Sequence, residues 1–220
     1  MNKYQAVIFD LDGTLADSIA DIADSMNRIL QHYGFPMHDY DAYKYFVGKG
    51  LKNLAIATLP ETNRDEATVE ACFNALMIDY RKNYINKTKL YDGVGELLSW
   101  LAKNNFKLAV LSNKADEIVQ PICEVLLKGC CFDIILGVTE QFPRKPSPDA
   151  AVFIAKEWGI APECILYLGD TGIDMQTANA AGMESVGVTW GFRTEQELRE
   201  NGAKTIIHHP MKLVEIIELN

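Results

Sequence analysis

The chain has 220 residues, of which 48% are hydrophobic and 23% charged, so its composition is that of a folded globular protein and excludes a disordered chain. Its formal net charge of -9 disfavours a broad basic surface for nucleic acid or an anionic membrane. No apolar run is long enough to span a membrane, and Asp10 interrupts the run nearest the N-terminus, so we expect neither a membrane helix nor a signal peptide. Five cysteines without metal-ligand spacing favour reduced thiols and a cytoplasmic location.

The first predicted element is a buried strand over residues 4–9, which ends in a polar, turn-prone segment, residues 10–14 (DLDGT). From residue 16 the apolar side chains recur at helical spacing, until Gly34 and Pro36 end the pattern. Helical patterns continue over residues 51–59 and 65–84, with no strand pattern between them. Residues 16–88 are therefore predicted to form an all-helical domain.

From residue 89 onward, predicted helices and strands alternate. Strands are predicted at 106–111, 132–138, 164–168, 185–189 and 205–208, and helices at 94–103, 115–127, 149–158, 174–181, 194–200 and the C-terminus. This alternation predicts an α/β fold: a Rossmann-like parallel-sheet core, residues 1–15 and 89–220, with the helical domain inserted as a cap. Inserted helical domains beside a sheet usually act as lids.

Polar side chains follow four of the predicted strands. Ligands bind beyond the carboxyl ends of the strands in open parallel sheets, so we expect these side chains to share one cleft. Several carboxylates in a cleft repel one another unless a cation joins them, and hard oxygen ligands favour Mg²⁺. A lysine and a hydroxyl beside the metal would cradle a phosphoryl group, which leaves a carboxylate to attack phosphorus. The residues concerned are Asp10, Asp12, Ser112, Asn113, Lys114, Arg144, Lys145, Asp170 and Asp174.

Four segments in chain order resemble the motifs of the haloacid dehalogenase-like superfamily. They are residues 10–14 (DLDGT), Ser112, Lys145 with Pro146, and residues 169–174 (GDTGID). The helical insertion after the first motif resembles the cap of the phosphoglycolate phosphatase-like branch. The resemblance spans essentially the whole chain, and four motifs in order are more specific than any one of them.

The resemblance implies a role for each matching residue. Asp10 is the expected nucleophile, which forms an aspartyl-phosphate. Asp12 is expected to protonate the leaving alkoxide, to deprotonate the attacking water and to offer its backbone carbonyl to the metal. The implied metal ligands are Asp10, Asp12, Asp170 and Asp174, with Asp174 acting directly or through water, and the implied phosphate-binding residues are Gly13, Thr14, Ser112, Asn113 and Lys145.

The resemblance also narrows the substrate. Dehalogenases and phosphonatases of the superfamily lack an acid–base carboxylate at the position of Asp12, so this residue favours phosphate-ester chemistry. Residues 47–52 (VGKGLK) resemble the cap loop that contacts the leaving group, where Lys49 would pair with a carboxylate such as that of phosphoglycolate. A solvated position is an equally good interpretation of Lys49 and Lys52. The expected activity is Mg²⁺-dependent hydrolysis of 2-phosphoglycolate.

Alternatives remain open. A β-phosphoglucomutase-like isomerase, an inorganic pyrophosphatase and, more remotely, a non-catalytic binding protein would share much of this pattern. The expected partner is a small phosphorylated metabolite, without nucleic acid or membrane, and the chain would be a monomer or a homodimer. For single residues the plainer interpretations are a helix cap for Asp174, a solvated helix-start charge for Lys114, and packing for Trp190 and Phe192.

Overall fold

The structure, a computed structural model, describes residues 3–219, which form two compact units. An α/β unit contains the chain up to Asp17 and again from Leu90 onward. The segment between, Ser18–Lys89, forms a helical unit. Two short strands, β2 (Ala16–Asp17) and β3 (Lys89–Leu90), lie where the chain passes from one unit to the other.

The α/β unit is built on a six-stranded parallel sheet. Its strands are β1 (Ala6–Phe9), β4 (Lys107–Ala115), β5 (Ile134–Val138), β6 (Ile165–Gly169), β7 (Glu184–Val188) and β8 (Thr205–Ile207), in the spatial order β5-β4-β1-β6-β7-β8. The flanking helices are α5 (Val94–Lys103), α6 (Asp116–Leu126), α7 (Asp149–Trp158), α8 (Gly172–Ala180), α9 (Glu195–Glu200) and α10 (Lys212–Glu218). The predicted α/β class with a Rossmann-like parallel sheet is confirmed.

The register of the three central strands determines which residues reach the same edge of the sheet. Phe9 at the end of β1 lies opposite Val110 of β4 on one side and Leu168 of β6 on the other. The residues that follow these positions therefore emerge at one edge of the sheet, although they come from distant parts of the sequence.

The sheet interior explains why these strands are apolar throughout. Every residue of β1 and β6 is buried, as expected for central strands of a parallel sheet covered by helices. Ile8 and Tyr167 pack in one buried cluster with Ala151 and Ile154 of α7. Such close packing against helices gives the polar residues at the strand ends a rigid support.

The helical unit contains four α-helices. They are α1 (Ile19–His32), α2 (Tyr40–Phe46), α3 (Leu51–Thr58) and α4 (Glu66–Asn83). Helix α2 was not predicted, because its seven residues (YDAYKYF) are too few to show a helical repeat of apolar side chains. Asp39 caps it by accepting a hydrogen bond from the Ala42 N–H (2.8 Å). The buried Asp21 of α1 accepts hydrogen bonds from the N–H (2.8 Å) and hydroxyl (2.7 Å) of Thr88, which fixes the end of the unit to its first helix.

None of the helices within residues 3–219 combines the length and the apolar character that crossing a bilayer requires.

Candidate active site

Three buried carboxyl groups meet at the edge of the sheet. Asp10 follows β1, Asp170 follows β6, and Asp174 lies in the first turn of α8. One carboxylate oxygen from each lies within 4.8 Å of the other two. The structure thus brings together three of the four residues predicted to bind a metal.

Lys145 places its ammonium group among these carboxylates. Its Nζ donates hydrogen bonds to Asp10 Oδ1 (2.7 Å), Asp174 Oδ1 (2.7 Å) and the Leu111 carbonyl (3.0 Å). An ammonium group has three N–H donors, so this geometry uses all of them. The lysine side chain is only 4% exposed, and it contacts the expected nucleophile although 135 residues separate the two.

Asn113 holds Lys145 in place. Its side-chain Nδ2 donates to the Lys145 carbonyl (3.1 Å), and its Oδ1 accepts from the Lys145 N–H (2.8 Å). This two-point contact fixes the backbone from which the ammonium group extends. Asn113 thus positions the lysine, and its predicted contact with a phosphoryl group stays a prediction. The neighbouring Ser112 is buried, and its Oγ accepts from the Lys114 N–H (3.2 Å).

Asp170 is held from two sides. The Phe192 N–H donates to its Oδ2 (2.8 Å) and the Thr14 hydroxyl donates to its Oδ1 (3.3 Å). Sequence reasoning assigned Phe192 to packing, and its side chain is indeed buried. Its contact with Asp170 comes from the backbone N–H, which the residue type does not reveal.

Asp174 has two structural roles at once. Its Oδ2 accepts from the N–H (3.1 Å) and hydroxyl (2.6 Å) of Thr171, which completes a capping box at the start of α8. Its Oδ1 accepts from Lys145. The plainer interpretation as a helix cap is therefore correct, and the same carboxylate also belongs to the buried cluster.

Two glycines allow the backbone to approach Asp170 closely. Gly13 has a φ of +90°, and a Cβ at that position would collide with the Asp170 carboxylate. A Cβ on Gly191 would collide with the same carboxylate and with the Gly13 carbonyl. Beside them, the Trp190 indole N–H donates to the Thr14 carbonyl (3.0 Å), so Trp190 braces the loop that follows β1.

Asp12 and Lys114 form another ion pair with little exposure to water. Lys114 Nζ lies 2.8 Å from Asp12 Oδ1, with the two side chains 3% and 12% exposed. The expectation of a solvated lysine at a helix start was wrong. The reason is that β4 continues four residues beyond its predicted end, through a bulge, to pair Ala115 with Val138 of β5.

Burial and mutual repulsion raise the pKa values of Asp10 and Asp170. Burial raises the pKa of Asp10 to about 7, against the opposing effect of Lys145. Burial, with the nearby charges of Asp10 and Asp174, also holds the pKa of Asp170 well above its usual range. The pKa of Lys145 is raised, because the two carboxylates outweigh its desolvation. The cluster thus contains three carboxyl groups, of which the ammonium group of Lys145 contacts two, and hard oxygen donors with excess negative charge fit a divalent cation such as Mg²⁺.

Lys49 lies in the helical unit. It is exposed and directly precedes Gly50, the N-cap of α3. Its neighbour Lys52 pairs with Glu70 of α4 (2.8 Å), whereas no ion pair among residues 3–219 involves Lys49. The solvated interpretation therefore fits Lys52 well, and the predicted substrate contact of Lys49 stays a prediction.

Comparisons with known proteins find relatives over most of the chain. A family model described as haloacid dehalogenase-like hydrolase matches residues 7–188. The chain is 34% identical over 190 residues to a phosphoglycolate phosphatase of Pseudomonas putida, covering 84% of this chain and 70% of that protein. It is 31% identical over 212 residues to a phosphoglycolate phosphatase of Pseudomonas syringae, covering 94% and 78%.

A crystal structure described as a predicted phosphoglycolate phosphatase of Haemophilus somnus superposes with a TM-score of 0.90 at 27% identity, covering 98% of this chain and 99% of that one. The family model spans all four motif segments and most of the chain, which confirms the resemblance drawn from the sequence. With a matching fold, relatives of 30% identity or more and the buried aspartate cluster, the chain belongs to the haloacid dehalogenase-like hydrolases, among the phosphatases of that family.

Proposed function

We propose that this protein hydrolyses 2-phosphoglycolate in a Mg²⁺-dependent reaction, with Asp10 as the nucleophile. The observation that carries the proposal is the position of Lys145, whose ammonium group lies 2.7 Å from oxygens of both Asp10 and Asp174. A buried cation at an attacking carboxylate is suited to neutralise phosphoryl oxygens as they arrive. A binding role would not require a nucleophile, an acid–base carboxylate and a buried lysine together.

The first half of the reaction transfers the phosphoryl group to Asp10. A carboxylate oxygen of Asp10 forms a bond to phosphorus while the bond from phosphorus to the substrate's alkoxide oxygen breaks. Asp12 gives its proton to that leaving oxygen. Lys145 and the Ser112 hydroxyl are the groups in this unit suited to stabilise the charge on the phosphoryl oxygens.

The second half regenerates the carboxylate. Asp12, now ionised, takes a proton from water as the water oxygen bonds to phosphorus and the bond to Asp10 breaks. The products are inorganic phosphate and free enzyme. Asp10, Asp170 and Asp174, with the Asp12 carbonyl, would hold Mg²⁺, which when bound supplies charge neutralisation for these carboxylates and the phosphoryl oxygens.

The substrate follows from the relatives and from one residue of this chain. Relatives of about 30% identity are named phosphoglycolate phosphatases, and they match most of this chain. Lys49, exposed and without an ion-pair partner among the described residues, supplies a cation for the glycolate carboxylate. Asp12 supports the hydrolysis of an alkyl ester, since an alkoxide needs a proton to leave.

A substrate panel tests this proposal. Phosphate release would be measured with 2-phosphoglycolate, pyrophosphate, β-glucose 1-phosphate and other sugar phosphates, each with Mg²⁺ and with chelator. We expect a Mg²⁺-dependent preference for 2-phosphoglycolate, with kcat/KM of about 10⁴ M⁻¹s⁻¹ or higher. A preference for pyrophosphate, or conversion of β-glucose 1-phosphate that requires a sugar bisphosphate, would replace the proposal with one of the other two activities.

Lys49→Ala should weaken binding of a carboxylated substrate selectively. We expect KM for 2-phosphoglycolate to rise about fivefold, the effect of losing one solvent-accessible ion pair, with little change for ethyl phosphate, which has no carboxylate. Initial-rate kinetics with both substrates measure the effect. Lys52→Ala is the matched control, because Lys52 already pairs with Glu70. An equal rise in KM for both substrates would remove Lys49 from substrate recognition.

Mg²⁺ should stabilise the protein more at neutral than at acidic pH. Burial raises the pKa of Asp10 from 3.8 to about 7. Between these two pH values the folded metal-free protein keeps a proton on Asp10 that the unfolded chain releases. The stability of the metal-free protein therefore falls as the pH rises from about 4 to about 7. Mg²⁺ binds the ionised carboxylates, so it should restore more stability at about pH 8 than at about pH 5.

Thermal unfolding with Mg²⁺ and with chelator, at both pH values, measures this difference. Asp170→Asn is the informative variant, because it removes a carboxyl group whose pKa is raised and should reduce the Mg²⁺-induced rise in Tm. The lowered pKa values of Asp24 and Asp79 change the pH dependence of stability in the opposite direction. The wild-type protein and Asp170→Asn share both residues, so this contribution is the same in the two. An equal Mg²⁺ effect at both pH values would contradict the prediction.

A further inference from the structure

We propose that Lys114 is a positioning residue that holds the acid–base carboxylate of Asp12 in place, a role that rests on the proposed phosphatase activity. The observation is the ion pair between Lys114 Nζ and Asp12 Oδ1 at 2.8 Å. Both side chains are largely shielded from water, so the pair is screened far less than a surface pair. Neither the motifs nor the expected roles of the other residues include this lysine.

Three successive residues at the end of β4 each serve a different part of the site. Ser112 presents its buried hydroxyl, Asn113 fixes the backbone of Lys145, and Lys114 contacts Asp12. The backbone N–H of Lys114 also donates to Ser112 Oγ (3.2 Å). The end of β4 thus positions the groups for the phosphoryl oxygens, Ser112 and Lys145, and also the residue that transfers protons, Asp12.

The two buried lysines contact different carboxylates. Lys145 contacts Asp10 and Asp174, whereas Lys114 contacts Asp12. The cation beside the nucleophile acts on the phosphoryl group, but the cation beside Asp12 acts on the residue that serves the leaving group. A proton donor must lie within hydrogen-bond reach of the oxygen that it protonates, and its orientation determines its efficiency. Lys114 fixes that orientation by anchoring Oδ1 to the rigid end of a sheet strand.

This role predicts a dependence on the leaving group. An alkoxide needs the proton from Asp12 in order to leave, whereas 4-nitrophenolate leaves as a stable anion without it. The value of kcat/KM covers the steps up to the departure of the leaving group, so it depends on Asp12 for an alkyl phosphate and hardly at all for 4-nitrophenyl phosphate. Loss of Lys114 should therefore lower the ratio of kcat/KM for the alkyl phosphate to kcat/KM for 4-nitrophenyl phosphate. A structural defect lowers both values by the same factor, because both are measured on the same folded fraction.

The experiment compares Lys114→Gln, Lys114→Met and Lys114→Arg with the wild-type protein at saturating Mg²⁺. The substrates are 2-phosphoglycolate, ethyl phosphate and 4-nitrophenyl phosphate. We expect the Gln and Met variants to lose about tenfold in kcat/KM for both alkyl phosphates relative to 4-nitrophenyl phosphate, part of the roughly 10²–10⁴-fold that a positioned proton donor contributes. Lys114→Arg keeps a cation beside Asp12, so its ratio of kcat/KM for the alkyl phosphates to that for 4-nitrophenyl phosphate should fall less than in the Gln and Met variants. Lys107→Met is the control, since Lys107 lies on the same strand in an exposed pair with Asp133.

Each contrary result is distinct. An unchanged ratio, with wild-type hydrolysis of all three substrates intact, overturns the role of Lys114 and leaves the proposed function standing. A loss confined to 2-phosphoglycolate assigns Lys114 to the substrate carboxylate and overturns its action through Asp12. An absence of Mg²⁺-dependent hydrolysis by the wild-type protein overturns both proposals.

Discussion

Asp10→Asn is expected to abolish turnover and to leave the fold intact. An amide has the shape of the carboxylate but does not attack phosphorus, so kcat should fall by roughly 10⁴–10⁶-fold, as for other covalent nucleophiles. The fold should survive because Lys145 keeps Asp174 as a partner at 2.7 Å. Burial raises the pKa of Asp10 to about 7, so the ionised carboxylate is unfavourable at this position. The substitution replaces it with a neutral amide, which should not destabilise the fold. Phosphate release and thermal unfolding measure the two effects.

Two further observations make this test specific. Wild-type protein quenched in acid during turnover should gain the mass of one phosphoryl group, located on the peptide that contains Asp10, and the variant should gain none. Asp149→Asn, at an exposed position in α7, should keep both kcat and Tm. Substantial residual activity in Asp10→Asn with an unchanged Tm would assign the nucleophile to another residue.

Lys145→Met should reduce both catalysis and stability. Removal of the ammonium leaves the Asp10 and Asp174 carboxylates without their cation and the Leu111 carbonyl without its donor. Breaking a buried ion pair by removing one partner lowers the free energy of unfolding by about 3–5 kcal/mol. Loss of a preorganised charge at the reacting group lowers kcat/KM by about 10²–10³-fold. Chemical denaturation and initial rates at saturating Mg²⁺ measure these quantities.

The catalytic and structural contributions of Lys145 can be separated. Mg²⁺ should offset part of the stability loss by neutralising the same carboxylates, but it should not restore kcat/KM. Lys145→Arg should rescue poorly, because a planar guanidinium does not direct donors to the three acceptors that a compact ammonium contacts. Lys156→Met, at an exposed position in α7, is the control. A stability loss with kcat/KM unchanged would limit Lys145 to a structural role.

The elements and the order of the site along the chain were predictable from the sequence. Buried strands such as β1 and β6 are continuous apolar runs with a polar turn directly after them, so Asp10 and Asp170 could be assigned to one edge of a parallel sheet. Helix α2 was not predicted because its seven residues are too few to show a helical repeat of apolar side chains. Its cap, Asp39, was the available signal, but a single aspartate is common in turns.

The contacts within the site were not predictable in the same way. Lys114 looked like a solvated charge because its partner, Asp12, lies 102 residues away and the bulge that extends β4 has no local signature. The contact of the Asn113 amide with the backbone of Lys145 was not predicted, because the two residues lie 32 positions apart; the predicted phosphate contact of Asn113 stays a prediction. The Phe192 N–H that binds Asp170 is a backbone group, which every residue except proline possesses.

The α/β class, the helical insertion and the set of residues near the strand ends could be inferred from the sequence, because hydrophobic periodicity and turn chemistry are local properties of the chain. The pairing of lysines with aspartates is a property of the folded chain: Lys145 lies with Asp10 and Asp174, and Lys114 lies with Asp12. These pairs depend on strand register and on burial, and two of them, Lys145–Asp10 and Lys114–Asp12, join residues 135 and 102 positions apart. Burial in turn makes each pairing strong, since a desolvated charge requires a partner.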